Sequence, residues 1–331
     1  MKFWRNIAYL LRFVGTLTLA GGLAGLLGML LSYFLFEVQH LAFGYSYHSV
    51  ISGETYLEGV RQSSALRRVA ALAVCGLVAG GGWFLLFRYG RRLVSIPGAV
   101  GDSRLRMPPM ETASNAFLQI ATIGIGSPLG KEGAPREIGA LFAGFAARWA
   151  RLDSEHARLV IAAGAGAGLA AVYNAPVGGA FFALGIMAGR IKASMPTRWI
   201  IAFTVSILAA LVARWGLGDV HQYAVPEQAR VTSGLMLWAV LAGPLLAIAA
   251  HYFVRLANSG RSNGPKSLSI LPLCMAVFVL LGMALVFLPE LAGNGRIAAQ
   301  MGFAGTASLS FIVLLLPCKI FFELAALRAG A

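Results

Sequence analysis

The chain has 331 residues, of which 58% are hydrophobic and only 12% charged, with a mean hydropathy of +0.74. That balance excludes a soluble globular protein and indicates an integral membrane protein built as one polytopic domain over residues 1–331. The net charge of +14 does not signal nucleic acid, because the basic residues fall in short clusters between apolar runs, the pattern of the positive-inside rule.

Met1 to Phe13, with Lys2, Arg5 and Arg12, reads as an interfacial helix on the cytoplasmic face. It leads into a first span, Val14 to Phe36, too long for the apolar core of a cleavable signal peptide. Glu37 to Ala65 is a polar connection placed outside, and Val69 to Phe87 is the second span. Arg88, Arg91, Arg92, Arg104 and Arg106 follow and put the next segment in the cytoplasm.

Gly124-Ile-Gly-Ser-Pro-Leu-Gly-Lys-Glu-Gly-Ala-Pro-Arg-Glu-Ile-Gly139 then interrupts the apolar sequence. Unpaired backbone groups in hydrocarbon cost several kcal/mol each, so such a break must line a cavity or be buried in protein. Gly133-Ala-Pro135 is a helix start, which sets Glu132 beside free N–H groups with partial positive charge. Gly130 and Gly133 leave room for an outside anion to reach the same amides, including that of Ala134, with Lys131 adjacent. Glu132 and an anion are expected to compete for this terminus. A solvated surface loop is the other reading. A phosphate-binding P-loop fails, because Glu132 follows Lys131 where Ser or Thr is needed and Ile125 stands at the first glycine position.

The apolar pieces on either side, Ala113 to Leu129 and about 138 to 150, are short and read as half-helices meeting inside the bilayer. From Arg158 the chain is rich in small residues, and Gly164, Gly166 and Gly168 allow helices to touch backbone to backbone. Asn174-Ala-Pro176 marks a second break, with Asn174 as a cap and Pro176 opening the next helix. Proline kinks in an ordinary bundle are the plainer alternative.

Arg190, Lys192 and Arg198 are placed inside before a span at Trp199 to Val212. Arg214 to Arg230, with Asp219 and Glu227, is placed outside. Leu235 to Val254 crosses back to Arg255, Arg261 and Lys266, and Leu268 to Leu288 leaves again. Glu290 to Gly295 is a glycine turn, and Phe303 to Leu327 is a last helix on which Lys319 and Glu323 pair four residues apart. Arg136 and Glu137 likewise read as a local charge pair. Cys75, Cys274 and Cys318 sit in apolar segments as buried thiols. His40, His48, His156, His221 and His251 are too scattered to bind metal, so no metal or cofactor is expected.

Gly130-Lys-Glu-Gly-Ala-Pro135, followed by Gly-Leu-Ala-Ala-Val-Tyr-Asn-Ala-Pro within Ala163 to Gly179, resembles the CLC family of chloride channels and proton-coupled chloride transporters. The first segment is similar to that family's G-[KR]-E-G-P signature, whose glutamate gates the anion pathway, and the second to its following conserved segment. The resemblance implies an all-α membrane fold of broken, re-entrant helices in an inverted repeat, the first repeat at about 14–212 and a partial second at about 232–331. It also implies a chloride or similar small anion as substrate, a homodimer in lipid, and placement in a bacterial plasma membrane with a cytoplasmic N-terminus; an enzyme is not expected.

Departures accompany the match. The family's G-S-G-I-P serine has only Val94-Ser95-Ile96-Pro97 as a counterpart, so Ser95 is a weak anion contact. The inner glutamate of proton-transporting members falls on Ile186, which favours a passive channel over exchange. The family's Gly-Gly-[IV]-F-x-P helix and pore tyrosine lie beyond residue 331, so the chain resembles a C-terminally incomplete member, with a non-conducting remnant as a further reading. A membrane-embedded enzyme using Lys131 and Glu132 lacks further convergent polar groups.

Overall fold

The computed structural model describes residues 2–46, 50–51, 54–219, 223–225, 231–262 and 267–330. The expectations for His48, His221, Glu227, Arg230 and Lys266 lie outside these residues, as do those for the side chains of Lys2, Arg5 and Arg261. Among the described residues the protein has thirteen α-helices and no strand. They are α1 (Lys2–Phe43), α2 (Tyr56–Gln62), α3 (Ala65–Tyr89), α4 (Ile96–Gly101), α5 (Pro109–Ile125), α6 (Gly133–Trp149) and α7 (Ser154–Tyr173). After these come α8 (Pro176–Met187), α9 (Met195–Leu217), α10 (Ser233–Ser262), α11 (Ile270–Phe287), α12 (Arg296–Phe303) and α13 (Leu309–Ala329).

Seven of them (α1, α3, α7, α9, α10, α11 and α13) are long and apolar enough to span a bilayer, which makes the chain a multi-pass integral membrane protein. Helices α5 and α6, at 17 residues each, extend about 25 Å at 1.5 Å per residue. Both leave and return toward the arginine-rich face, where Arg91 pairs with Glu111 at 3.0 Å and Tyr9 donates to Asp153. The expected half-helices are therefore present, meeting at residues 126–132. Helices α7 and α8 are likewise joined at a break, Asn174, although α7 is long enough to span by itself and only α8 is short.

Two expectations about helix limits are corrected. The N-terminal segment and the first span form one unbroken helix, α1, since nothing between Phe13 and Val14 caps or breaks it. Conversely, Phe303 to Leu327 is not continuous. Helix α12 ends at Phe303, Gly305 turns through φ +65°, and Ser308 caps α13 by accepting from the Phe311 N–H at 3.3 Å.

Small residues set the spacing around the two breaks. Gly139 faces the Gly164 backbone, Gly166 faces Gly179, and Gly168 lies against the Pro135 carbonyl, so α7 packs backbone to backbone on both α6 and α8. Ala162, Ala163, Ala165 and Ala167 are fully buried between them. A second apolar cluster joins α3 to α11 through Leu72, Cys75, Cys274, Phe278 and Leu281. Cys75 and Cys274 are buried free thiols as expected, while Cys318 is only half-buried.

The two clusters meet near the first break. Gly126, with φ +119°, accepts from the Gly293 N–H at 3.3 Å, which ties the end of α5 to the turn at 289–293. Lys319 donates to the Leu291 carbonyl at 2.8 Å and to that of Gly293. The expected Lys319–Glu323 pair is kept at electrostatic range only, because an ammonium buried beside turn carbonyls gives its hydrogen bonds to them in preference to a carboxylate one helical turn away.

Candidate functional site

Glu132 is the residue immediately before α6, and the helix begins at Gly133 with Pro135 in its first turn. The placement agrees with the motif reading; the side-chain geometry adds to it. No side chain caps α6, so the first-turn amides of Gly133, Ala134 and Arg136 keep their partial positive charge. The Glu132 carboxylate instead accepts a hydrogen bond from the Tyr173 hydroxyl, Oη to Oε1, at 2.5 Å. Its other oxygen lies against Gly130, where a methyl group would overlap it.

Lys131 is buried, with 8% of its surface exposed, and its Nζ sits 5.1 Å from the centre of the Tyr173 ring. It does not snorkel to an interface. Arg136 donates from Nε to the Glu132 carbonyl at 2.7 Å and stacks on Phe182. Glu137 accepts from Asn115 Nδ2 at 2.8 Å and Gln119 Nε2 at 3.4 Å, and Asn115 Oδ1 in turn accepts from Trp83 Nε1 at 3.0 Å. Beyond the expected Arg136–Glu137 pairing, each of the two side chains thus has partners of its own. Adjacent positions on a helix point about 100° apart, so each side chain finds its own neighbour. Gln119 also fills the space beside Gly133, so α5 buttresses the first turn of α6.

Asn174 ends α7 in the left-handed conformation, φ 51° and ψ 40°, rather than capping α8, whose first residue is Pro176. Its side chain is clamped at the surface opposite the arginine-rich face. Oδ1 accepts from Arg214 Nη2 at 2.9 Å, and Nδ2 donates to Asp219 Oδ1 at 2.8 Å. Lys131, Tyr173, Asn174, Arg214 and Arg296 line a cavity of about 560 Å³ on this side, with Glu54 as a carboxylate in the same wall. A charge population weighted toward cations, beside free helix amides, suits a small anion.

Ser95 is not brought to this cluster. It is exposed and caps the six-residue α4, its hydroxyl accepting from the Gly98 N–H at 3.2 Å. Among the described residues no group of three or more His, Cys, Asp or Glu side chains converges as a metal site. Sequence reasoning did not single out Tyr173, Asn115, Gln119 or Arg214, although Tyr173 stands next to the Asn-Ala-Pro break it did identify.

The description "voltage gated chloride channel" belongs to the family model that matches residues 75–331. A putative chloride channel protein, ClcB-like, of Ralstonia nicotianae is 28% identical over 281 residues, 77% of this chain and 61% of that protein. The voltage-gated ClC-type chloride channel ClcB of Yersinia pestis is 31% identical over 62% of this chain and 50% of its own length. The H(+)/Cl(-) exchange transporter ClcA of Vibrio cholerae is 27% identical over 80% and 58%. The chain thus spans between half and about three-fifths of the curated relatives it matches.

In fold, it is similar to the crystal structure of a slow cyanobacterial Cl⁻/H⁺ antiporter, with a TM-score of 0.76, 19% identity, and 97% of this chain and 74% of that one covered. A CLC-type fluoride/proton antiporter superposes with a TM-score of 0.69, also at 19% identity. The all-helical, re-entrant architecture is accordingly that of the CLC transporters, and with the family model matching residues 75–331, the chain belongs to the voltage-gated chloride channel (CLC) family.

Proposed function

We propose that the protein carries chloride or a similar small anion across the membrane, with Glu132 as the gate. One observation carries this reading. An acidic side chain stands at the uncapped N-terminus of an interrupted helix, within the protein and next to a cavity lined by Lys131, Arg214 and Arg296. In one position the carboxylate lies off the amides, as it does against Tyr173. In the other it occupies them, and an anion competes for the same donors. Gly130, Lys131, Gly133 and Ala134 form the proposed anion contacts, and the breaks at Asn174 and Pro176 let α8 approach the same region. Ser95 remains a secondary candidate on the arginine-rich side.

Passive conduction is the preferred form. The position where proton-transporting members of the family carry their inner glutamate is Ile186, a buried aliphatic residue on α8. Proton-coupled exchange is the second reading, favoured by the naming of the Vibrio cholerae relative as an exchanger and by the two antiporter structures. In either form the protein is a transporter rather than an enzyme. It acts as a homodimer in a bacterial plasma membrane, with the N-terminus and the arginine-rich face in the cytoplasm. Two inverted repeats, about 14–212 and a partial one at about 232–331, place the turn at 290–295 as the counterpart of the Ser95 loop.

The test is chloride flux and reversal potential in liposomes containing the full-length protein under opposed chloride and pH gradients. A potential set by chloride alone is the expected result, and a shift with the proton gradient establishes exchange instead. Glu132→Gln and Glu132→Ala are expected to remove the pH dependence of flux. Unchanged flux and pH response in both variants would refute the gating role.

A further inference from the structure

The gating reading requires Glu132 to have two positions, but says nothing of what holds the carboxylate in the one away from the helix amides. The structure supplies a holder. Tyr173 Oη donates to Glu132 Oε1 at 2.5 Å. The phenol comes from a corner with little freedom, because Asn174 beside it is tied to both Arg214 and Asp219, themselves 3.2 Å apart. The ring has Lys131 Nζ 5.1 Å from its centre. Nothing on α6 itself restrains the carboxylate, since no side-chain cap forms there.

We propose that Tyr173 is a positioning residue for the gate: its hydroxyl latches Glu132 in the position that leaves the α6 amides open to an anion. The proposal rests on the reading of Glu132 as the gate. Other charged or titratable groups surround the pair. Lys131 is over the ring and in electrostatic range of Glu132, while the hydrogen bond to the carboxylate comes from the phenol, and Arg136 on α6 is engaged with the Glu132 backbone carbonyl. Glu323 on α13 is in electrostatic range of Glu132 but is itself acidic, and Arg296 on α12 faces Lys131. Tyr223 is in electrostatic range of Tyr173, and the Arg214–Asp219 pair is hydrogen-bonded to Asn174.

A hydrogen bond to a charged group is strong enough to shift a two-position balance by roughly tenfold or more. Tyr173→Phe keeps the ring against Lys131 and removes only the donor. The ionised carboxylate is then free to return to the amides, and anion flux at neutral pH falls by about tenfold. In acid, Glu132 is protonated and no longer competes as an anion, so flux through Tyr173→Phe recovers toward wild type. A purely structural loss would lower flux by the same factor at both pH values.

The experiment measures chloride flux at neutral and acidic pH for the full-length wild type, Tyr173→Phe, Glu132→Gln and the double variant in liposomes. Supporting results are a neutral-pH loss in Tyr173→Phe with recovery in acid, and no further change when it is added to Glu132→Gln. The latch is overturned if Tyr173→Phe matches wild type, if its loss is equal at both pH values, or if it lowers flux through Glu132→Gln by the factor seen in wild type. Should Glu132→Gln itself leave flux and pH response unchanged, the gate and the latch both fall. If Glu132→Gln abolishes the pH response while Tyr173→Phe behaves as wild type, only the latch does.

Discussion

Replacing Gly168 with alanine adds one methyl group at the place where α7 touches the first turn of α6. That methyl would overlap the Pro135 carbonyl and press on the Arg136 nitrogen at 3.3 Å. The obstruction is backbone on both sides, so no flexible side chain can swing away to relieve it. Overpacking of this kind costs about 1–3 kcal/mol, and relief requires α6 to move off α7. Because Glu132 immediately precedes α6 and Tyr173 ends α7, the same movement lengthens their hydrogen bond. Gly185→Ala is the control: it lies on neighbouring α8 with open space around it, and alanine there is expected to be neutral or to stabilise by about 0.4–1 kcal/mol. Thermal unfolding in detergent, followed by loss of the monodisperse chromatographic peak, reads stability, and chloride flux in liposomes reads the gate. Gly168→Ala is expected to unfold at a lower temperature than wild type and to carry altered flux, while Gly185→Ala does neither. Equal tolerance of the two substitutions would refute the claim that backbone contact between α6 and α7 positions the site.

Three further outcomes are expected. Lys319→Met leaves the Leu291 and Gly293 carbonyls without their buried donor, and a loss of about 1–3 kcal/mol is expected in the same unfolding assay; an unchanged transition would show that the turn at 289–293 does not need the ammonium. At the arginine-rich face, burial raises the Asp153 carboxyl, but hydrogen bonds from the His156 N–H and from the Tyr9 and His156 side chains outweigh it and hold the group at about 2. The stability that ionisation of Asp153 adds is therefore present above the unfolded value of about 3.9 and lost as pH falls toward about 2. The stability gap between wild type and Asp153→Asn should close over that window, and a gap that widens in acid would reverse the assignment. Arg91→Ala breaks an ion pair whose arginine is two-thirds exposed, so the expected cost is small and vanishes in high salt; a large, salt-independent loss would contradict this.

Much of the architecture was legible because hydrocarbon imposes it. Apolar length marks the spans, and a Gly-Ser-Pro-Leu-Gly run inside them has no cheap location except a re-entrant break. The glycines at 164, 166 and 168 announced backbone contact, though not that Gly139, Gly179 and Pro135 would be the partners. The gap between α12 and α13 was written in Gly305 and Ser308, a stop signal and a cap that the surrounding apolar residues masked. The merging of the N-terminal segment into α1 was not signalled, because arginines at a helix end and an interfacial helix look alike. Tyr173 and Glu132 are 41 residues apart, and no local pattern encodes a bond between two helix ends that meet only after α6 and α7 have packed. Lys319 was assigned the nearest carboxylate on its own helix, whereas its acceptors come from a turn 26 and 28 residues earlier. Both cases show local spacing overruled by the need of buried backbone groups for partners.

The central claim is that an anion and the Glu132 carboxylate share the amides at the start of α6. Crystals of the full-length protein and of Glu132→Gln, grown in bromide, would test it through anomalous scattering. A bromide peak within hydrogen-bond reach of the Gly133 and Ala134 N–H groups in Glu132→Gln, weaker or absent where the ionised carboxylate lies on those amides, is the expected result. Bromide found elsewhere in the protein but never at the start of α6, in either variant, would contradict it.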